Sequence, residues 1–299
     1  MSVSGPPLTD ADLPALVGAL GIDGFVDIHV HFMPDNVLRK VWAHFDALAE
    51  SGRHGLAWPI TYRTDERQRL ATLATLGVVR FTSLLYPHKP DMAQWLNDWA
   101  ADFAARVPGC ARSATFFPEP AAAHYVRAAL EAGTRVFKTH VQVGAFDPAD
   151  PLLDPVWGVI ADAGVPVVCH CGSGPFPGEF TGPGPISAVL SRHPQLTLVV
   201  AHAGLPEYEQ FLDLVERYPR VHLDTTMAFT DFVCGRWPYP ADLLPRLAAA
   251  GDRVVLGSDF PNIPYPYAHQ IQALIDLDLG EPWLRAVLSE NGLRLLGGA

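Results

Sequence analysis

Eight short runs rich in β-branched and apolar residues, each followed by a stretch with helical periodicity, constrain this chain more than any other feature. The runs fall at 25–31, 78–85, 110–117, 135–140, 165–170, 196–202, 221–225 and 253–259. Between them the apolar residues recur at helical spacing, as in Leu70, Leu73 and Leu76 behind a cap at Thr64, or in the alanine-rich stretch 119–132 that Gly133 closes. Further helices are expected at 91–107, 152–163, 186–193, 207–218, 241–250, 267–277 and 281–296. Strands that alternate with helices pair in parallel through right-handed crossovers, and eight of them close into a ring. The expected fold is therefore α/β, a single (β/α)8 TIM barrel spanning 24–299. An extension at 1–23 precedes it, with a short helix behind the capping box Thr9-Asp-Ala-Asp12. One long excursion, 32–63, follows the first strand, broken at Pro34, Gly52, Gly55 and Pro59. Excursions of that length usually wall or cover a pocket.

Composition narrows the partners. With 299 residues, 49% of them hydrophobic, the chain can bury a large core, and its net charge of −11 repels phosphate backbones and anionic membrane surfaces. Nucleic acid and membrane are accordingly not expected as partners, and no apolar run reaches the roughly 20 residues that span a bilayer. Cys110, Cys169, Cys171 and Cys234 are too dispersed for a disulfide framework, so a reducing, cytoplasmic location is expected. A small-molecule substrate is the expected partner, and a homo-oligomer remains open.

The chemistry collects at the strand exits, where barrels of this kind build their active sites. In Phe25-Val-Asp-Ile-His-Val-His31 a period of two sends Asp27, His29 and His31 to one side, so two imidazoles converge at the end of the first strand. Neutral imidazoles so placed suit Zn²⁺ or a similar ion. The fourth run carries Lys138 and His140, the fifth ends at His170, the sixth at His202, the seventh holds Asp224, and the eighth ends at Asp259. Cys169 and Cys171 should point outward while His170 points in, and His222 begins its strand, which puts it at the opposite end of the barrel.

The set Asp27-Ile-His-Val-His31, Val167-Val-Cys-His-Cys-Gly172, Val199-Val-Ala-His-Ala-Gly204, Val255-Leu-Gly-Ser-Asp-Phe-Pro261 and Glu290-Asn-Gly-Leu-Arg-Leu-Leu-Gly297 resembles the amidohydrolase superfamily. More narrowly it is similar to the amidohydrolase-related branch that includes aminocarboxymuconate-semialdehyde decarboxylase. The resemblance implies that His29, His31, His170 and Asp259 ligate one divalent ion, Zn²⁺ first with Mn²⁺ as an alternative. It also implies that His202 stands beside the water the ion activates. Asp259 would then be ligand and proton acceptor together, and His202 the second catalytic group. In some relatives a lysine like Lys138 bridges two ions; here it is read rather as an ion-pair or substrate contact, with His140 beside it.

Specificity is expected from aromatic loops, Trp42, Tyr86 and Trp237 foremost, with Phe32, Phe117, Phe146, Phe229, Tyr239, Tyr265 and Tyr267 as further candidates and Arg39, Arg63 and Arg236 as carboxylate holders. Asp224 is expected to bond a neighbouring catalytic side chain. Two reactions fit these residues: hydrolysis of an amide, ester or lactone, and non-oxidative decarboxylation of a small unsaturated or aromatic acid. The turn Cys169-His-Cys-Gly-Ser-Gly-Pro175 tilts the expectation toward hydrolysis, by analogy alone.

Overall fold

A computed structural model describes residues 7–51 and 57–297, so Gly52 and Gly55 lie outside the described residues. Among the described residues nine strand segments run in chain order: β1 Phe25–Asp27, β2 Val78–Thr82, β3 Cys110–Ala111, β4 Ser113–Thr115, β5 Val136–His140, β6 Val167–His170, β7 Leu198–Val200, β8 Val221–Asp224 and β9 Val254–Val255. Every pairing is parallel, in the orders β1-β2-β3 and β4-β5-β6-β7-β8-β9. β3 and β4 are the two halves of the third expected run, parted only at Arg112. One half pairs with β2 (Phe81 to Cys110) and the other with β5 (Ser113 to Val136).

The exits of the first and last runs are hydrogen-bonded to each other. Ile28 N–H donates to Leu256 O at 3.0 Å, Asp259 N–H to His29 O at 2.8 Å and His31 N–H to Phe260 O at 2.7 Å, beside a parallel bridge between Val30 and Phe260. Eight parallel runs joined in this order make the (β/α)8 TIM barrel that the alternation predicts.

The regular ladders are shorter than the sequence runs. The runs expected to reach His31, Leu85, Phe117, His202 and Asp259 stop at Asp27, Thr82, Thr115, Val200 and Val255. Side chains replace the ladder partners there: Asp27 Oδ1 accepts from His29 N–H and Ser258 N–H at 3.1 Å, and Thr82 Oγ1 accepts from Val30 N–H at 3.2 Å. Short polar side chains that bond nearby backbone pull it out of regular structure.

Inside the barrel Val26, Ile28, Ala111, Val136, Val168, Val199 and Val255 form one buried cluster with Leu296. Alternation puts Val136 on the face of Lys138 and Val168 on that of His170, so these residues are the floor on which the polar ring stands. Cys169 and Cys171 join the outer cluster, with Val167, Leu198 and Phe211, against the surrounding helices.

Fourteen α-helical segments are described, including α1 Leu13–Leu20, α2 Asp35–Ser51, α3 Glu66–Thr75, α4 Ala93–Arg106, α5 Ala122–Glu131 and α6 Val141–Gly144. The excursion thus contains a 17-residue helix, α2. Asp65 rather than Thr64 caps α3, its carboxylate accepting from Gln68 N–H at 2.8 Å. The single helix expected at 281–296 is interrupted by a π-turn at Ala286–Glu290. The cause is visible: Val287 O is taken by Leu256 N–H at 3.0 Å, a bond from the last strand that displaces the regular helical one. Among the described residues no helix is long and apolar enough to cross a membrane.

Candidate metal centre and its pocket

The backbone bonds between the first and last strand exits bring three side chains to one point. His31 Nε2 lies 2.8 Å from Asp259 Oδ1, His29 Nε2 lies 3.9 Å from the same oxygen, and the three donor atoms fall within 4.8 Å of one another. Atoms that each sit ~2.1 Å from a shared ion are themselves roughly 3 to 4 Å apart. The opposite ring nitrogens are both spoken for: His29 Nδ1–H donates to Asp224 Oδ2 at 2.8 Å and His31 Nδ1–H to Leu84 O at 2.9 Å. Such outer bonds fix the tautomer and aim the remaining nitrogen, so the donor set fits a divalent cation in chemistry and in orientation.

Asp224, the last residue of β8, is completely buried and uses both oxygens, Oδ2 on His29 and Oδ1 on the backbone N–H of His202 and Thr226. Lys138 reaches across the ring to within 3.2 Å of His29 Nε2. Burial pulls its ammonium pKa down, against the charges of Asp224 and Asp259. Asp27 does not join the group. Its second oxygen accepts from Tyr267 O–H at 2.8 Å, so it braces the two strand exits from behind, and burial raises its pKa to about 6.

His202 sits beyond β7 in a short 3-10 turn, Ala201–Gly204, with left-handed backbone at φ 56°, and Asp259 is left-handed too at φ 69°. Non-glycine residues seldom hold that conformation, and where they do it accompanies function more often than chance. His202 Nδ1–H donates to Thr226 O at 3.2 Å, leaving Nε2 as an acceptor. His170 stacks on His140 with ring centres 4.0 Å apart and lies 4.7 Å from the ring of His202. Its Nε2–H donates to Gly174 O at 3.0 Å, so its accepting nitrogen is Nδ1, and it stands beside the three-residue group rather than in it. His140 Nδ1 accepts from Val143 N–H at the start of α6.

An apolar pocket opens against His202, lined by Trp58, Pro175, Leu205, Met227, Phe232, Val233 and Trp237. None of these side chains is charged. Tyr86 packs across His31 and His140, at 5.8 and 4.8 Å between ring centres. Trp42 stands further out, its indole N–H donating to Asn262 Oδ1 at 3.0 Å, while Trp58 donates to Asn262 O at 2.6 Å. Asn262 N–H in turn donates to Asp259 O, so one residue latches the excursion to the turn that carries Asp259. The sequence marks Trp58 only as part of the excursion expected to wall or cover a pocket, and it does not single out Phe232. Their only signal was position in a strand-exit loop, which dozens of residues share.

Residues 26–298 match the family model described as amidohydrolase. The chain belongs to the amidohydrolase family. No curated protein matches it. Solved structures do, over nearly the whole chain. An uncharacterized TIM-barrel protein of Bordetella bronchiseptica is 18% identical, with TM-score 0.71, over 91% of this chain and 98% of that one. The 5-carboxyvanillate decarboxylase of Sphingomonas paucimobilis is 17% identical, with TM-score 0.64, over 93% and 100%. That of Novosphingobium aromaticivorans, with bound manganese, is 16% identical, with TM-score 0.59, over 92% and 98%. Identities this low speak for the fold.

In this amidohydrolase several expected substrate contacts turn out to be packing. Phe32 stacks on Phe103 at 4.8 Å, Phe117 packs on Phe146 at 5.6 Å, and the Tyr267 hydroxyl is committed to Asp27. Arg63 pairs with Asp46 at 2.8 Å, and Arg236 lies over the Trp237 ring at 4.7 Å, so neither guanidinium is placed on the ion-binding group. His54 lies outside the described residues.

Burial favours the neutral form of five imidazoles of the amidohydrolase, those of His29, His140, His170, His202 and His222. Burial first, then neighbouring cationic groups, pushes His29, His140 and His170 well below the usual range and His202 to about 4; His222, at the opposite end of the barrel, also drops to about 4. A histidine with a depressed folded pKa contributes stability that is complete above its unfolded value of 6.5 and is lost as pH falls toward the folded value. A drop from 6.5 to about 4 makes His222 worth on the order of 3 kcal/mol. Thermal midpoints should therefore fall between pH 6.5 and 4, and His222→Leu should flatten part of that slope without touching the metal centre. Midpoints independent of pH over that interval would refute the assignment.

Proposed function

We propose that this amidohydrolase is a divalent-metal-dependent decarboxylase acting on a small aromatic or unsaturated carboxylic acid. The observation that carries the proposal is the uncharged wall of Trp58, Phe232, Trp237, Met227 and Leu205 set directly against His202. Such a wall favours contact with an apolar ring over contact with water, which suits loss of CO₂ better than attack by water. The decarboxylases of similar fold support the same reading.

His29, His31 and Asp259 would hold the ion, with His170 as a proposed fourth ligand from β6. Zn²⁺ and Mn²⁺ both suit imidazole and carboxylate donors, and the manganese in the Novosphingobium enzyme argues for testing Mn²⁺ first. When bound, the ion supplies positive charge for the substrate's oxygens. His202, neutral and with Nε2 free to accept, can take the proton of a ring hydroxyl and return it to the carbon that loses its carboxylate, leaving phenolate and CO₂. The backbone bond from Asp224 holds His202 at the pocket while it does so.

Hydrolysis is the second reading, favoured by one feature: the same His202 Nε2 can accept a proton from water. A panel of hydroxybenzoates and unsaturated acids, run beside esters, lactones and amides in ¹⁸O-water with Mn²⁺ or Zn²⁺, separates them. CO₂ release without ¹⁸O in the product is expected. Carboxylate product carrying ¹⁸O, with no CO₂ from any acid, would overturn the proposal in favour of hydrolysis.

A further inference from the structure

We infer that Asp224 is a positioning residue that couples the metal ligand His29 to the turn carrying His202, so that one carboxylate sets both the ion's ligand and the group that moves the proton. The inference rests on the metal-centre reading above. Asp224 ends β8, between β7, from which the His202 turn springs, and β9, which leads to Asp259. It is fully buried, and each of its oxygens serves a different part of the site.

Oδ2, at 2.8 Å from His29 Nδ1, can only accept, so the ring proton of His29 must sit on Nδ1 and Nε2 must present a lone pair. Lys138 at 3.2 Å from Nε2 agrees, because an ammonium can only donate. Oδ1 accepts the backbone N–H of His202 at 2.8 Å and that of Thr226 at 3.1 Å. Thr226 then closes the circuit: its carbonyl takes His202 Nδ1–H at 3.2 Å, and its hydroxyl lies 3.2 Å from His29 Nδ1. The left-handed backbone of His202, which a histidine rarely adopts, is thereby held at its amide and its ring tautomer is set by the same strand exit. Glycine at 257 leaves room for this carboxylate, since a Cβ there would come within 3.1 Å of Asp224 Cγ.

Asn at this position keeps the shape but offers one accepting oxygen in place of two. Either His29 or the two amides then face an NH₂ group that cannot accept. Asp224→Asn should weaken Mn²⁺ and Zn²⁺ binding 10- to 100-fold in competition titrations. In protein labelled with ¹⁵N-histidine it should shift the imidazole signals of both His29 and His202. Thr226→Val, which removes only the hydroxyl beside His29, should shift the His29 signal and leave His202 in place.

Metal affinity unchanged in Asp224→Asn, or a shift confined to His29, would overturn the coupling while leaving the metal centre standing. Wild-type protein that takes up neither ion would overturn the metal centre and the coupling with it. Should Asp224→Asn fail to fold, the wild type decides: His29 protonated on Nδ1 with a slowly exchanging proton supports the inference, and His29 protonated on Nε2 ends it.

Discussion

Protein carrying His29→Ala together with His31→Ala is expected to fold and to lose divalent-ion binding by at least ~10³-fold. Both imidazoles belong to the only group of three or more metal-capable side chains that converge among the described residues, and only Asp259 would remain of it. Neither ring carries the barrel floor, which is built from Val26, Val136, Val168, Val199 and Val255 below them. Circular dichroism should therefore remain that of a barrel while elemental analysis finds no stoichiometric ion. A full equivalent of metal in the double variant would move the centre elsewhere.

The second large effect comes from a residue with no side chain. A Cβ on Gly257 would lie 2.4 Å from Thr226 Oγ1 and 2.8 Å from His29 Cβ, both part of the ligand's support. Gly257→Ala should cost about 1 to 3 kcal/mol in chemical unfolding, as overpacking of a rigid core does, and should weaken metal binding at least ~10-fold because His29 must give way. Gly184→Ala is the control, since nothing lies within 4 Å of the added carbon. Equal behaviour of the two variants would mean that the packing around His29 does not set the ligand's position.

Much of the architecture could be read in the sequence because it depends on local periodicity. The eight runs and their parallel order follow from periodicity, and the convergence of His29, His31 and Asp259 from the rule that barrels place chemistry at strand exits. Strict alternation along the first strand fails, since Val26 and Ile28 join Val136, Val168 and Val255 inside the barrel while Asp27 turns to Tyr267 behind the site. What could not be read depends on contacts between residues far apart in the chain. The π-turn exists because Leu256 reaches Val287, and the early ends of the ladders because Asp27 and Thr82 bond backbone from other strands. Trp58 became a pocket wall only through Asn262, 204 residues away.

His202 and His170 show the same limit at the site. Strand alternation placed His202 at the end of a strand, but the bond from Asp224 draws it into a left-handed turn past that end. His170 was assigned to the ion by family likeness, and here it donates to Gly174 O while its ring lies flat on His140. Ring orientation is set by partners that no local pattern encodes. The Cys169 to Pro175 turn, from which the lean toward hydrolysis was drawn, gives the pocket only Pro175; the rest of the apolar wall comes from Trp58 of the excursion, Leu205 after β7 and the loop after β8.

Crystals grown with Mn²⁺ or Zn²⁺ and measured on both sides of the metal's absorption edge test the central claim most directly. The anomalous peak is expected between His29 Nε2, His31 Nε2 and Asp259 Oδ1, about 2.0 to 2.2 Å from each. A peak coordinated by other side chains, or none at full metal saturation, would contradict it.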